Sequence, residues 1–276
     1  MSWYDNFFDN EAWLDLHRHI YTSEQSNKTA EGLAELLQLM PGSRILDVPC
    51  GFGRIAIALA RMGMEVVAVD FVQKMLDEGA KQADADQLSV TWQQMDMRQI
   101  AFDNQFEAVV NIWGSFGYFS DDANEAFAAR VFRALSPGGH FVIDTPTAEL
   151  LFAIWQDRGW QEVNGVKVLE ERSFNPYTSR VVDKWTFIGE EGVSSHTSDM
   201  RIYTCAELTA MLKRVGFAEV TAYGSFEGDD FAIRGRRATE ADSRRRFPVL
   251  ESRPTEPGDP GANCIGKRMI MVARKG

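Results

Sequence analysis

Cysteine is scarce in this chain: there are three among 276 residues, Cys50, Cys205 and Cys264, set far apart. They match neither a zinc-ligand spacing nor a disulfide framework, so no metal is expected and a reducing, cytoplasmic compartment is. No uninterrupted apolar run approaches the ~18 residues that a membrane span requires, and no membrane partner is expected. The opening residues, MSWYDNFFDNEAW, mix aromatics with acids and lack the basic stretch and apolar core of a secretory signal. Positive charge is in deficit, with 29 Lys and Arg against 40 Asp and Glu and a formal net charge of −11. A field of that sign repels phosphodiester backbones and argues against a nucleic-acid partner. One local excess exists, in Arg234, Arg236, Arg237, Arg244, Arg245 and Arg246. Glu240, Asp242 and Glu251 are interspersed with them, which reads as a solvated loop.

What is present is ordinary globular composition, 45% hydrophobic and 25% charged, over a length that suits one large domain carrying an insertion. Short apolar runs alternate with helical patterns through the first half. Strands are expected at 44–48, 65–70, 88–92, 108–113 and 140–144, with helices at 54–62, 75–81 and 124–135. Ser136-Pro137-Gly138-Gly139 reads as the breaker between the last helix and the next strand. Such alternation implies right-handed crossovers and a doubly wound, mostly parallel α/β sheet.

The rhythm changes after Asp144. A helix near 149–155 precedes three runs of period-2 character, at 166–174, 180–188 and 193–203, which predict a small antiparallel insertion. Thr204-Cys205-Ala206-Glu207 is a capping box that opens a helix to Val215. A strand follows near 219–222, and 269–273 reads as the closing strand. The expected division is an N-terminal helical cap over 1–40, an α/β domain over 41–146 and 204–276, and an inserted lid over 147–203. The polar segment 225–266 carries Pro248, Pro254, Pro257 and Pro260, a composition expected to be mobile.

Ile45-Leu46-Asp47-Val48-Pro49-Cys50-Gly51-Phe52-Gly53-Arg54 joins the first strand to the first α/β helix. Glycines there allow a tight turn and close approach of a ligand to backbone, and the helix start offers unpaired N–H groups. Asp70 ends the second strand, where a carboxylate can accept from both hydroxyls of a ribose. Gly51-Phe52-Gly53-Arg54-Ile55-Ala56 also partly matches a dinucleotide fingerprint, so an NAD(P)-dependent oxidoreductase is an alternative. Asp47 points away from it, because an acid at the strand end suits an amino group and repels a pyrophosphate. Met95-Asp96-Met97 follows the third strand, where an acid and an apolar neighbour can meet an adenine.

Residues 45–54, 66–70, 95–97 and 136–139 together resemble the ordered motifs of the class I S-adenosylmethionine-dependent methyltransferases. The resemblance is strong over 40–145 and extends to 200–224 and 267–274. It implies a Rossmann-like sheet of seven strands whose last runs antiparallel, with S-adenosyl-L-methionine as cofactor. It further implies that Asp47, Pro49, Gly51 and Gly53 shape or hold the methionine end and that Asp70 holds the ribose. Asp96 and Met97 would hold the adenine, Phe71 and Met75 would pack near the adenosine, and Asn111 and Ile112 would reach the amino group. After the fourth strand the chain has Asn111-Ile112-Trp113-Gly114-Ser115-Phe116-Gly117-Tyr118 and no Asn-Pro-Pro-Tyr-like sequence. That departure disfavours planar amide or nucleobase nitrogens and favours a small-molecule N or O acceptor. A non-catalytic adenosyl-ligand binder is a further alternative, and a homo-oligomer is neither required nor excluded.

The acceptor pocket is expected under the N-terminal helix and the insertion, which resembles the antiparallel lids of sugar N,N-dimethyltransferases. Tyr21, at a helix end, and Tyr118, after a glycine-flanked turn, are the candidate catalytic positions. His17 or His19 would matter as a base only for a hydroxyl acceptor. Glu170, Glu171, Arg172, Lys184 and Arg201 are candidates for the inner face of the insertion, where alternation admits about half of them.

Overall fold

The structure is a computed structural model that describes residues 3–8, 11–190, 192–231 and 268–276. The polar segment and the arginine-rich loop within it, Cys264 included, lie outside the described residues.

A seven-stranded sheet forms the centre. In chain order its strands are β1 (Arg44–Asp47), β2 (Glu65–Asp70), β3 (Val90–Gln94), β4 (Phe106–Asn111) and β5 (Leu135–Thr145), then β10 (Glu219–Tyr223) and β11 (Met269–Arg274). The spatial order is β10-β11-β5-β4-β1-β2-β3, with β11 antiparallel to both its neighbours and the rest parallel. Both faces of the inner strands are buried, which is why β4, β5 and β11 carry near-continuous apolar runs, whereas the edge strands β3 and β10 stay partly exposed. On β5, Phe141 and Ile143 enter one core with Phe106, Phe127 and Phe217, while Val142 enters the opposite core with Leu33, Ile55 and Leu59. Helices α3 (Ser23–Leu37), α4 (Arg54–Arg61) and α5 (Gln73–Ala85) cover one face; α6 (Asp121–Ala134) and α8 (Cys205–Val215) cover the other. Two capping boxes set helix starts, Thr22 with Gln25 on α3 and the expected Thr204 with Glu207 on α8.

Between β5 and α8 the chain forms α7 (Ala148–Ala153) and a four-stranded antiparallel sheet, β6 (Arg158–Val163), β7 (Val166–Asn175), β8 (Arg180–Gly189) and β9 (Gly192–Arg201). Helices α1 (Tyr4–Phe7) and α2 (Glu11–Ile20) bridge this sheet to the central one. Phe7, Trp13, Leu14 and Leu16 pack with Val168, Trp185 and Phe187 of the antiparallel sheet and with Met75 of α5.

Two expectations need correction. The Ser136–Gly139 segment does not separate helix from strand, because β5 already begins at Leu135, paired with Phe106 across a register shift. Gly138 absorbs the irregularity at φ +79°, and a Cβ on Gly139 would lie 2.9 Å from the Ser136 oxygen and 3.0 Å from that of Phe106. These glycines permit close strand approach. β6 was not anticipated, since it is an outer strand with alternate residues exposed and too few apolar residues to show a period.

The Phe141 ring is fully buried among Phe116, Phe127 and Phe217, with centroid separations of 6.3, 6.1 and 6.1 Å. Phe141→Ala is expected to lower unfolding free energy by about 3–5 kcal/mol through lost burial and a residual cavity. Denaturant titration checks this, and a loss below about 1 kcal/mol would contradict the packing described.

Candidate active site

The β1–α4 turn stands at the carboxyl end of the sheet. Gly51 and Gly53 both take left-handed angles, φ +56° and +69°, which only glycine adopts without a steric penalty. Their surroundings differ. A Cβ on Gly51 would meet only the Met75 sulfur at 4.0 Å, so bare backbone faces open space. A Cβ on Gly53 would lie 2.2 Å from the Trp92 ring. Packing against β3, and not the approach of a ligand, therefore demands glycine at 53.

Asp70 binds two turns together. Its Oδ2 accepts from Gly51 N at 2.8 Å and its Oδ1 from Val72 N at 2.9 Å. Asp47 lies deeper, its Oδ2 accepting from Ala56 N in the first turn of α4 at 3.1 Å. Burial pushes its carboxyl up to about 7, although Arg54 and the Ala56 N–H favour the ionised form. Burial also raises Asp70, against the pull of its backbone donors.

A cavity of about 260 Å³ opens beside this turn. Of the residues expected at the site, Tyr21, Pro49, Gly51, Asp70, Phe71, Met75, Ile112 and Tyr118 line it. Asp47, Gly53, Asp96, Met97 and Asn111 do not. Asp96 caps the short 3-10 turn Met97–Gln99 and is gripped by Arg98, whose hydrogen bonds hold its carboxyl below the usual range in spite of partial burial. Met97 is buried in the main core. Asn111 is wholly buried, donating to the Val48 oxygen at 2.8 Å and accepting from Ser115 Oγ at 3.1 Å. These three hold the strand ends in shape and do not reach the cavity.

Arg54 and Trp113 are among the lining residues that the motifs did not mark, and His17 lines the cavity as well. Arg54 stacks over the Tyr21 ring at 4.3 Å, and burial pulls its pKa down. Its signal was available, since a cation in the first turn of a helix opposes the macrodipole and needs another reason to be there. Trp113 takes φ +81°, rare for a bulky residue, and its N–H donates to Asp144 Oδ2 at 3.0 Å. His17 Nδ1 donates to the Trp13 oxygen at 2.8 Å, leaving Nε2 buried without a partner. Burial lowers its pKa to about 3, so it is a weak base and unsuited to the role considered for it. The His19 side chain lies outside what the structure describes. Burial raises the phenol pKa of both Tyr21 and Tyr118, which remain neutral hydrogen-bond donors.

A second cavity, of about 130 Å³, lies between the N-terminal aromatics and the inner face of the antiparallel sheet. Phe8, Trp13, Trp113 and Tyr118 line both cavities and form a common wall. Of the insertion candidates, Arg172 lines it and Glu170 is buried beside that arginine. Glu171 and Lys184 face outward and pair with each other at 3.6 Å, while Arg201 turns to Asp121 and Glu207.

A profile described as a methyltransferase domain matches residues 45–139. A Bacillus subtilis protein named "Putative methyltransferase YqeM" is 30% identical over 191 residues, covering 63% of this chain and 73% of that one. The chain belongs to the S-adenosylmethionine-dependent class I methyltransferases. Two solved structures share the whole fold of this methyltransferase. The CcbJ methyltransferase from Streptomyces caelestis matches with a TM-score of 0.73 at 17% identity over 95% of each chain. SAM-bound CalS10, an amino pentose methyltransferase from Micromonospora echinaspora, matches with 0.64 at 16% identity over 96% of this chain and 97% of that one. The nicotinamide alternative is thereby set aside, and S-adenosylmethionine is the cofactor of this methyltransferase. The larger cavity fits that group, offering bare backbone at Gly51, a carboxylate at Asp70 and apolar walls from Phe71, Met75 and Ile112. Among the described residues no helix of the methyltransferase is long and apolar enough to cross a membrane.

Two predictions follow from these groups. Gly53→Ala should destabilise the fold by about 1–3 kcal/mol through overpacking against Trp92, whereas Gly51→Ala should lose less stability; comparing their denaturation midpoints checks the order. Asp47 stays protonated in the folded chain up to about pH 7 but ionises above about pH 4 once unfolded. Folding takes up a proton in that window, so wild-type stability declines across it. Asp47→Asn cannot ionise, so its Tm should gain on wild type from pH 4 to pH 7 and hold a constant difference above. A pH-independent difference in the cofactor-free proteins would refute the raised pKa.

Proposed function

We propose that this methyltransferase transfers a methyl group to a nitrogen or oxygen of a small molecule, with the cofactor in the larger cavity and the acceptor in the smaller. The observation that carries this reading is the wall that the two cavities share, Phe8, Trp13, Trp113 and Tyr118. Ligands on its two sides come closest there, and methyl transfer needs only an aligned nucleophile and the exclusion of water. The modest volume, closed by α1, α2 and the antiparallel sheet, favours a small acceptor over a polymer. The net charge of −11 further disfavours nucleic acid. That CalS10 is an amino pentose methyltransferase and CcbJ a methyltransferase of the same architecture supports the reading.

In this reading residues 41–146 and 204–276 form the cofactor domain, capped by 1–40 and by the inserted lid 147–203. When bound, the cofactor supplies an electrophilic methyl group on a sulfonium. Asp47 fixes the first turn of α4 and, behind the methionine end, is the carboxyl that the positive charge of the cofactor would draw into its ionised form, and Gly51 lets that end approach backbone. Asp70 accepts from the ribose hydroxyls while holding both turns. Phe71, Met75 and Ile112 exclude water from the adenosine. Tyr21, under Arg54, and Tyr118, in the shared wall, position the reactants by hydrogen bonding as neutral donors. The best basic candidate, His17, is too weakly basic to remove a proton effectively, so alignment is the main source of acceleration.

The test is release of S-adenosylhomocysteine from the full chain incubated with S-adenosylmethionine and a panel of small amines, phenols and alcohols. Turnover with none of them, alongside turnover on a polymer, would refute the small-molecule reading. With a productive acceptor, Tyr118→Phe and Tyr21→Phe are each expected to lower kcat about ten- to a hundredfold through misalignment, with a smaller effect on cofactor affinity by calorimetry. Wild-type turnover in both variants would remove these tyrosines from the site.

A further inference from the structure

The smaller cavity has an unusual electrostatic composition. On β8 the inward phase reads Val181, Asp183, Trp185, Phe187, so one acid interrupts an apolar face. The Asp183 side chain is nine-tenths buried. Its Oδ2 accepts from Arg172 Nε at 2.8 Å, while its Oδ1 has no hydrogen-bond partner. Ser198, the cross-strand neighbour, donates to the backbone oxygen of Asp183 and leaves the carboxylate alone. Glu170, also buried, pairs with the same Arg172, so two carboxylates share that guanidinium. The other cation on the lining, Arg268, is engaged with Asp144 through the side chain and through the backbone oxygen at 2.9 Å. Glu170, Asp183 and Asp144 against Arg172 and Arg268 leave one excess negative charge among these five buried groups.

An excess buried charge is costly unless something compensates it. Burial indeed pushes the carboxyls of both Asp183 and Glu170 up, against the pull of Arg172. Around Asp183 the walls are aromatic. Trp13 and Trp185 stand 5.3 Å apart edge to face, Trp3 and Tyr118 5.0 Å apart, and Trp113 closes the side shared with the larger cavity. Ring faces attract cations, most of all in a desolvated site. They offer nothing comparable to an anion, and a neutral guest, even one that donates a hydrogen bond to the Asp183 oxygen, would leave the excess negative charge uncompensated.

We propose that the smaller cavity binds an organic cation, its charge met by the Asp183 carboxylate and by the surrounding aromatic faces. The inference rests on the reading of this cavity as the acceptor site and narrows it from nitrogen or oxygen to an amine. Alkyl amines are protonated in water and enter as cations. The bound ammonium passes its proton to the Asp183 carboxylate, the freed lone pair attacks the sulfonium methyl group as its bond to sulfur breaks, and S-adenosylhomocysteine leaves. The N-methylated product is again a cation, so one site accommodates both. Asp183 is then the group that selects acceptors by charge.

Choline and 3,3-dimethylbutan-1-ol provide the test, being a quaternary ammonium that cannot accept a methyl group and its uncharged isostere. Binding of each to the full chain saturated with S-adenosylhomocysteine is followed by tryptophan fluorescence and calorimetry. Choline is expected to bind at least about tenfold more tightly than the isostere. Asp183→Asn should abolish that preference with S-adenosylhomocysteine affinity unchanged, and Glu171→Gln, on the outward face, should leave it intact. Equal affinities, no binding of either, or a preference that survives Asp183→Asn would overturn the proposal. Should Asp183→Asn fail to fold, the comparison on the wild-type chain decides. Choline binding without methylation of any amine would uphold the cation site and refute its role as the acceptor site. Methylation of an uncharged acceptor by a chain that does not bind choline would refute the cation site and leave the small-molecule reading standing.

Discussion

The carboxylate of Asp70 holds the carboxyl end of the central sheet in shape. Parallel strands end in turns whose backbone N–H groups have no ladder partner, and a buried turn cannot leave them unsatisfied. By accepting from Gly51 N and Val72 N, Asp70 joins the β1–α4 and β2–α5 turns at a fixed distance. The bare backbone at Gly51 can face a ligand because that clamp keeps the turn from collapsing into the space beside Met75. The carboxylate already serves stability, so any role in recognition is separated from it by measuring fold and affinity in the same variant.

Acids are placed at three depths around the reaction space. Asp47 is sealed beneath α4, Asp70 bridges the turns, and Asp183 lies under the antiparallel sheet. Burial raises the pKa of all three, and each is relieved differently: by one backbone donor and nearby Arg54, by backbone donors, and by a shared arginine. A field of this kind suits ligands that bring positive charge, which the sulfonium and amino group of the cofactor do. The shared arginine at Asp183 leaves one carboxylate oxygen without a hydrogen-bond partner, in the lining of the smaller cavity.

The N-terminal aromatics connect the two sheets and also divide the reaction space. Trp13 packs against Trp185 of β8 and against Trp113 beyond β4, so the antiparallel sheet is held over the larger cavity by rings that line it. Loss of one ring would remove a contact that joins the two sheets. A structural and a functional role coincide here because indole rings supply large buried area, rigid faces and a polar edge together.

Much of this was legible along the chain. The β1–α4 motif, Asp70 at the end of β2, the capping box at Thr204 and the antiparallel insertion all rest on short-range signals, because turns, caps and strand periods are set by neighbouring residues. Those signals reached no further than the parallel rhythm of the sheet; the exposed β6, the start of β5 within a glycine-rich segment and the demand of Trp92 for glycine at 53 depend on partners far away in sequence. The same limit governs the site. Asp96, Met97 and Asn111 stand at the strand ends the motifs indicate, yet Arg98, the core and Ser115 engage them, and no local pattern encodes which way a side chain turns once its partners arrive. Sequence alone determined that this chain would build a Rossmann-like sheet with acids at its strand ends. Only tertiary packing decided that Trp13, Trp113 and Tyr118 would meet in one wall and that Asp183 would be buried beside it with half its carboxylate unpaired, because burial and charge balance are properties of the assembled interior.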